Sequence, residues 1–145
     1  MKLISFVKKL ITSFILLGGI LFTQFSYAET IVVVHPNNSS SLSSKDIQRL
    51  FLVKSKTFPN GDQAIPIDQD SANDDRKSFI SAILKKNKRK IKKYWARQVF
   101  TGKGIPPKVV GTPEAVKDFV SKNPSAIGYI DASMLDSSLK VVHRF

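Results

Sequence analysis

The sequence predicts an α/β fold in which helices flank a small mixed sheet. Two observations predict it: short β-branched runs that indicate strands, and segments with apolar residues at three- and four-residue intervals that indicate amphipathic helices. Strand and helix signals are interspersed along the chain, which is typical of helices packed on a sheet. The predicted order is strand, helix, hairpin, three successive helices and then two closing strands.

The first 28 residues have the three parts of a secretory signal peptide. Three lysines precede an apolar stretch at 10–22, and Ser26-Tyr27-Ala28 places small residues where signal peptidase cleaves. The apolar stretch has 13 residues, whereas a membrane-spanning helix needs about 20. We therefore expect cleavage after Ala28, a mature domain over 29–145, a periplasmic location and no membrane span after cleavage.

Composition limits the partners and the chemistry. The chain carries 23 Lys and Arg against 11 Asp and Glu, a formal net charge of +12. This balance favours anionic partners, and a location outside the cytoplasm makes nucleic acid an unexpected one. Because the sequence has no cysteine, disulfides, thiol redox chemistry and thiolate metal sites are excluded.

The first half of the mature chain predicts a strand, a helix and a hairpin. The uninterrupted β-branched run at 31–35 is typical of a fully buried strand. A capping-box spacing then begins a helix at 44–52. Pro59-Asn60-Gly61 predicts the turn of a hairpin over 54–68, because Asn and Gly tolerate a positive φ. Pro66 indicates that the returning strand is an edge or irregular strand.

The second half predicts three helices and the closing strands at 127–130 and 139–142. Thr112-Pro113 begins the last helix with an N-cap followed by proline. The two helices before it are indicated by apolar stripes at helical spacing. These stripes are Phe79, Ile80, Ile83 and Leu84 in the first helix, and Ile91, Tyr94, Trp95 and Val99 in the second.

Nothing in the sequence indicates catalysis, a cofactor or a metal. The only histidines are His35 and His143, and no Gly-x-Ser-x-Gly nucleophile motif is present. Asp68, Asp70, Asp74 and Asp75 form an acidic cluster that could hold a hard cation, but its spacing does not fit an EF-hand loop. We interpret this cluster as a solvated loop with carboxylates at a helix N-terminus. We therefore predict that the protein is not an enzyme.

A basic cluster is the most prominent charge feature. Eight lysines and arginines fall within the 13 positions 85–97. Like charges at three- and four-residue spacing repel each other in a helix, so a binding function is one explanation for them. The other explanation is that these residues form a solvated helix face that keeps the domain soluble. The candidate interaction surface is the helical face opposite Ile91 and Trp95: Lys86, Arg89, Lys90, Lys93 and Arg97.

Two loops that lead into helix N-termini are candidate anion sites, since free N–H groups and the helix dipole favour negative charge there. The first loop, 37–44, is rich in hydroxyl and amide groups, and we take Ser39 and Ser40 as its candidate ligands. The second loop, 71–76, offers Asn73 and Arg76 but is crowded with carboxylates that would repel an anion.

Four segments together resemble the phosphate-type substrate-binding proteins of ABC importers. The resemblance covers about 31–130, nearly all of the mature chain. It implies a fold like one lobe of a type II periplasmic binding protein, with phosphate as ligand and an ABC permease as partner. The matching segments are Phe51-Leu52-Val53-Lys54 with Phe58-Pro59-Asn60-Gly61, Tyr94-Trp95-Ala96-Arg97, Phe100-Thr101-Gly102-Lys103-Gly104 with Pro106-Pro107, and the stretch from Asn123 to Tyr129.

The chain departs from that family in two ways. Its mature length corresponds to one lobe, whereas full binders close two lobes over the ligand. Arg76 and Phe79 match the end of the family's anion motif, but its Ser-Gly-Thr positions fall on Asn73, Asp74 and Asp75. Two hypotheses follow: a domain that binds phosphate or another small anion, or a ligand-free module that docks an envelope protein or an anionic envelope surface through the basic helix.

Overall fold

A single mixed sheet of five strands organises the computed structural model, which describes residues 28–145. The predicted signal peptide lies outside the described residues except for Ala28. The strand order is β3-β2-β4-β1-β5, with β2 parallel to β3 and β4 and β1 antiparallel to β4 and β5. The strands are β1 Thr30–Val34, β2 Ile65–Asp68, β3 Lys108–Val109, β4 Ala126–Asp131 and β5 Lys140–Arg144.

Three of the four helices in residues 28–145 begin at a side-chain cap, and only the helix at Asp74–Ala82 does not. Ser43 Oγ accepts a hydrogen bond from the Asp46 backbone N–H at 3.2 Å, and the Asp46 carboxylate accepts one from the Ser43 N–H at 3.0 Å. This is the predicted capping box. Thr112 Oγ1 likewise accepts from Ala115 N at 3.2 Å. The helices are α1 Ser44–Phe51, α2 Asp74–Ala82, α3 Lys88–Phe100 and α4 Pro113–Lys122, with a short 3₁₀ turn at Ala132–Met134.

Both faces of the sheet are covered, so the fold has three layers. Val32 and Tyr129 contribute to the apolar cluster formed with α1, α2 and α3. Val33 and Ile130 contribute to the opposite cluster, which includes Val116 of α4. Since side chains alternate between faces along a strand, every residue of β1 is buried. The α/β class and the buried first strand are therefore confirmed.

The hairpin prediction is right about the turn and wrong about the strand's position. Gly61 has a φ of 94°, and its N–H donates to Phe58 O at 2.9 Å. The paired part is a single antiparallel bridge, Thr57 to Gln63. Strand β2 lies inside the sheet and not at its edge, because β3 pairs with its last two residues, Ile67 and Asp68. Pro66 is tolerated there since it faces a neighbouring strand, β4, on one side only.

The second apolar stripe is only partly buried. Ile91 is 4 % exposed, and Tyr94 and Trp95 pack against the core at its margin. Val99, the last residue of the stripe, is 53 % exposed. It is exposed because the packing of α3 against the core ends one turn earlier. Within the described part of the chain, no helix combines the length and apolarity needed to cross a bilayer.

Replacing Gly128 by alanine should destabilise the fold by about 1–3 kcal/mol, the usual effect of overpacking. Gly128 lies in β4 under α4, and an added Cβ would sit 2.5 Å from Val116 Cγ1 and 3.2 Å from Val120 Cγ2. Urea-induced unfolding measures the change. Gly104→Ala is the matched control, because the nearest atom there is Val53 Cγ1 at an ordinary 3.7 Å. Equal unfolding midpoints for the two variants would contradict this close helix–strand contact.

Candidate functional site

An ion pair occupies the turn that leads into α2. Arg76 Nε donates to both carboxylate oxygens of Asp68, at 3.2 and 3.1 Å, and an Arg76 terminal nitrogen lies 3.0 Å from Asp68 Oδ2. The two side chains are only 17 % and 15 % exposed. The guanidinium of Arg76 is therefore already neutralised by a carboxylate of the same chain.

Two further donors serve the same carboxylate. The Tyr129 hydroxyl donates to Asp68 Oδ1, and the Gln69 backbone N–H donates to that oxygen at 2.9 Å. Burial, together with the neighbouring Asp68 charge, raises the pKa of Tyr129 far above its usual value, so the phenol stays a donor. Guanidinium, phenol and backbone N–H are the groups that would bind an oxyanion. Here Asp68 itself takes the place of such an anion.

The neighbouring carboxylates make the turn less favourable still for an anion. Asp75 Oδ1 accepts from Thr30 Oγ1 at 2.9 Å, and burial raises the pKa of Asp75. Asp74 pairs with Lys77 at 2.7 Å, and that hydrogen bond lowers the pKa of Asp74. The amide of Asn73 donates to Gly111 O at 3.0 Å. Across residues 28–145, no three acidic or histidine side chains converge as metal ligands would.

The loop before α1 is also internally satisfied for the most part. Ser39 Oγ accepts from Asn60 Nδ2 at 3.3 Å, and Ser40 N donates to Asn38 Oδ1 at 2.8 Å. Ser40 Oγ is buried and has no hydrogen-bond partner. The capping box occupies the N–H groups of Ser43 and Asp46 at the helix N-terminus, and it places the Asp46 carboxylate there.

The two predicted pairs of anion ligands lie at opposite ends of the sheet. Strands β1 and β2 both neighbour β4, but β1 is antiparallel to it and β2 is parallel. Their carboxyl ends therefore point in opposite directions, and the loops that follow them are separated by the length of the sheet. The structure does not bring Ser39 and Ser40 together with Asn73 and Arg76.

The basic cluster, in contrast, forms a concave surface. Four of its side chains and one tyrosine line a cavity of about 240 Å³. We call this cavity the α3 groove, and its lining is Lys86, Lys90, Lys93, Tyr94 and Arg97. Arg89, the fifth predicted member of the interaction surface, is exposed but lies outside the lining.

Tyr94 forms the floor of the α3 groove. Its hydroxyl donates to the Leu52 carbonyl at 2.8 Å, which holds the ring against the end of α1. The Lys86 ammonium lies 5.3 Å from the centre of the same ring, within the range of a cation–π contact. Partial burial raises the pKa of Tyr94. The sequence placed Tyr94 in an apolar stripe, and only its phenol pointed to a partly polar position.

Within residues 28–145, no ion pair balances the positive charge of the α3 groove. The sequence contains no acidic residue between Asp75 and Glu114. The ion pairs found from residue 28 onward all involve other cations: Arg76, Lys77, Lys117, Lys122 and Arg144. Uncompensated charge of one sign around a concavity attracts counter-ions of the opposite sign.

Solved structures of phosphate-binding proteins share this architecture. A candidate phosphate ABC transporter substrate-binding protein with bound phosphate from Clostridium perfringens matches with a TM-score of 0.63 and 18 % identity, over 79 % of this chain and 45 % of that one. An ABC-type phosphate transport receptor from Vibrio cholerae matches with a TM-score of 0.61 and 17 % identity, over 80 % and 46 %. PstS from Borrelia burgdorferi matches with a TM-score of 0.59 and 14 % identity, over 79 % of this chain and 47 % of that one.

These likenesses concern the fold. No protein-family model and no curated protein matches the sequence. The chain spans less than half the length of the three solved proteins. The C. perfringens protein is described as a substrate-binding protein and the V. cholerae protein as a transport receptor. The resemblance recognised from the sequence is confirmed at the level of the fold, and the chain has the architecture of one lobe of a phosphate-type periplasmic substrate-binding protein.

Proposed function

We propose that this protein is a periplasmic, substrate-binding-protein-like domain that binds phosphate or another small anion. One observation carries the proposal: a concave group of four cations, the α3 groove, with which no carboxylate in residues 28–145 forms an ion pair. The fold supports it, because the C. perfringens protein of the same architecture holds phosphate. The location rests on the predicted signal peptide.

The partner and the mode of capture belong to the same proposal. Three side chains of the α3 groove, Lys90, Lys93 and Arg97, are exposed to solvent. Exposed cations bind anions more weakly than buried ones do. We propose that the bound anion is passed to an ABC permease or to another protein of the envelope.

Calorimetric titration of the purified protein with sodium phosphate tests the proposal. We expect measurable heat, and a rise in the melting temperature that grows with phosphate concentration. A ligand at 100 times its dissociation constant stabilises the fold by about 2.7 kcal/mol. Sodium chloride of the same ionic strength is the control for general screening.

The absence of both heat and thermal shift at millimolar phosphate and millimolar sulfate would overturn the small-anion function. The fold assignment would stand, since it does not depend on the ligand. The interaction module would then be the hypothesis to pursue. Its first test is whether charge reversal at Lys86, Lys90 and Lys93 abolishes co-purification of an envelope protein.

A further inference from the structure

We propose that the α3 groove, and not the turn before α2, is the anion site, and that its ligand is a condensed phosphate with two or three linked phosphoryl groups. This inference rests on the proposed function and specifies both the site and the chemical class of the ligand. It follows from three features of the described residues: the occupied donors at α2, the spacing of cations along α3, and the fixed floor of the groove.

The side-chain donors at the turn before α2, those of Arg76 and Tyr129, already bind a carboxylate. Asp68 already accepts from Arg76, Tyr129 and the Gln69 N–H. An incoming anion would have to displace this intramolecular carboxylate, and Asp74 and Asp75, which lie in the first turn of α2, would repel it. The α3 groove has no such competitor, since no carboxylate lines it.

The cations of the α3 groove form a row longer than one phosphate. At a rise of 1.5 Å per residue, Lys90 and Arg97 are about 10 Å apart along the axis of α3. One phosphoryl group can contact two neighbouring side chains of this row. A chain of two or three phosphoryl groups can contact Lys90, Lys93 and Arg97 together. Lysine ammonium groups act as point charges, so they accept phosphate oxygens from many directions.

The floor of the groove is positioned before any ligand arrives. The bond from Tyr94 to the Leu52 carbonyl fixes the ring, and Lys86 lies over that ring. The N-terminus of α3, capped by Asn87, adds a partial positive charge at the same end. A half-buried aromatic floor also lowers the local dielectric, which strengthens the attraction between the cations and an anion.

Affinities of the purified protein for orthophosphate, pyrophosphate and tripolyphosphate test this inference. We expect affinity to rise with the number of phosphoryl groups, by at least about tenfold from orthophosphate to tripolyphosphate, since each added group gains charge-assisted contacts. Replacing Lys86, Lys90 and Lys93 by alanine should lower tripolyphosphate affinity at least about tenfold.

A second triple variant, Lys88→Ala, Lys92→Ala and Lys103→Ala, is the matched control. It removes the same charge from exposed positions in or next to α3 that do not line the groove. We expect it to lower tripolyphosphate affinity by no more than about threefold, the part due to net charge. If the groove variant does not fold, as judged by circular dichroism, Lys90→Ala and Lys93→Ala are each compared with Lys88→Ala.

The outcomes separate the two proposals. Equal losses in the groove and control variants would overturn the α3 groove as the site and leave small-anion binding intact. Equal affinity for orthophosphate and tripolyphosphate would overturn the condensed phosphate as ligand class. If the unaltered protein binds none of the three phosphates or sulfate, the proposed function itself fails.

Discussion

Replacing Phe79 by alanine should destabilise the protein by about 3–5 kcal/mol, the range found when a buried aromatic side chain is removed. Phe79 is 1 % exposed. Its ring stacks on Tyr129 with centroids 4.2 Å apart and an interplanar angle of 4°, and it meets Phe51 edge-on at 4.6 Å. The substitution therefore removes the buried apolar surface of the ring and its contacts with two other aromatic rings. Urea-induced unfolding, followed by the fluorescence of Trp95, gives the free energy.

Phe100→Ala is the matched control, because the same atoms are removed from a side chain that is 91 % exposed. Its free energy of unfolding should change by no more than about 0.5 kcal/mol. Comparable losses in the two variants would contradict the placement of Phe79 between α2 and the sheet. The free energy of unfolding of Phe79→Leu should lie between those of Phe79→Ala and Phe100→Ala, since leucine keeps part of the buried volume.

The elements that the sequence predicts well are those whose signals are local. The Ser43 capping box and the Thr112-Pro113 pair each identify the start of a helix, because the cap satisfies N–H groups within the same turn. The unbroken run of β1 likewise indicates burial on both faces. In each case the physical cause lies within a few residues of its effect.

Strand order depends on pairing between distant segments, and here the sequence is less informative. Strand β3 has two residues, too few to show a periodicity. Its pairing with Ile67 and Asp68 moves β2 from the edge to the interior of the sheet. Pro66 itself has a strand partner on one side only, as its proline suggested, but the sequence did not show that β3 begins to pair one residue later.

In the candidate site, too, the sequence predicts the local features but not those that depend on contacts between distant segments. The sequence identified the carboxylates that crowd the turn before α2, yet the pairing of Arg76 with Asp68 requires knowing that the end of β2 faces the first turn of α2. The separation of Ser39 from Asn73 follows from β1 running antiparallel to β4. The basic face was visible from charge spacing, whereas its concavity depends on how Tyr94 contacts Leu52.

Removing the Asp68 carboxylate should destabilise the protein, and added anion should restore part of the loss. Asp68→Ala leaves the Arg76 guanidinium and the Tyr129 hydroxyl without their acceptor. We expect a cost of about 3 kcal/mol, the low end of the range for breaking a buried pair, because both side chains keep some exposure. Relative to chloride of equal ionic strength, phosphate should stabilise this variant more than it stabilises the unaltered protein, since it can accept from the same donors.

Asp74→Ala provides the comparison for this variant. Asp74 is paired with Lys77 at the surface, and the two side chains are 94 % and 64 % exposed. The urea unfolding midpoint of Asp74→Ala should therefore equal that of the unaltered protein within error. The stability of Asp68→Asn should lie between those of Asp68→Ala and Asp74→Ala, because an amide oxygen can still accept one hydrogen bond. If phosphate stabilises Asp68→Ala no more than it stabilises the unaltered protein, Asp68 does not occupy a position where an anion would bind. If Asp68→Ala loses no more stability than Asp74→Ala, the ion pair does not contribute to folding.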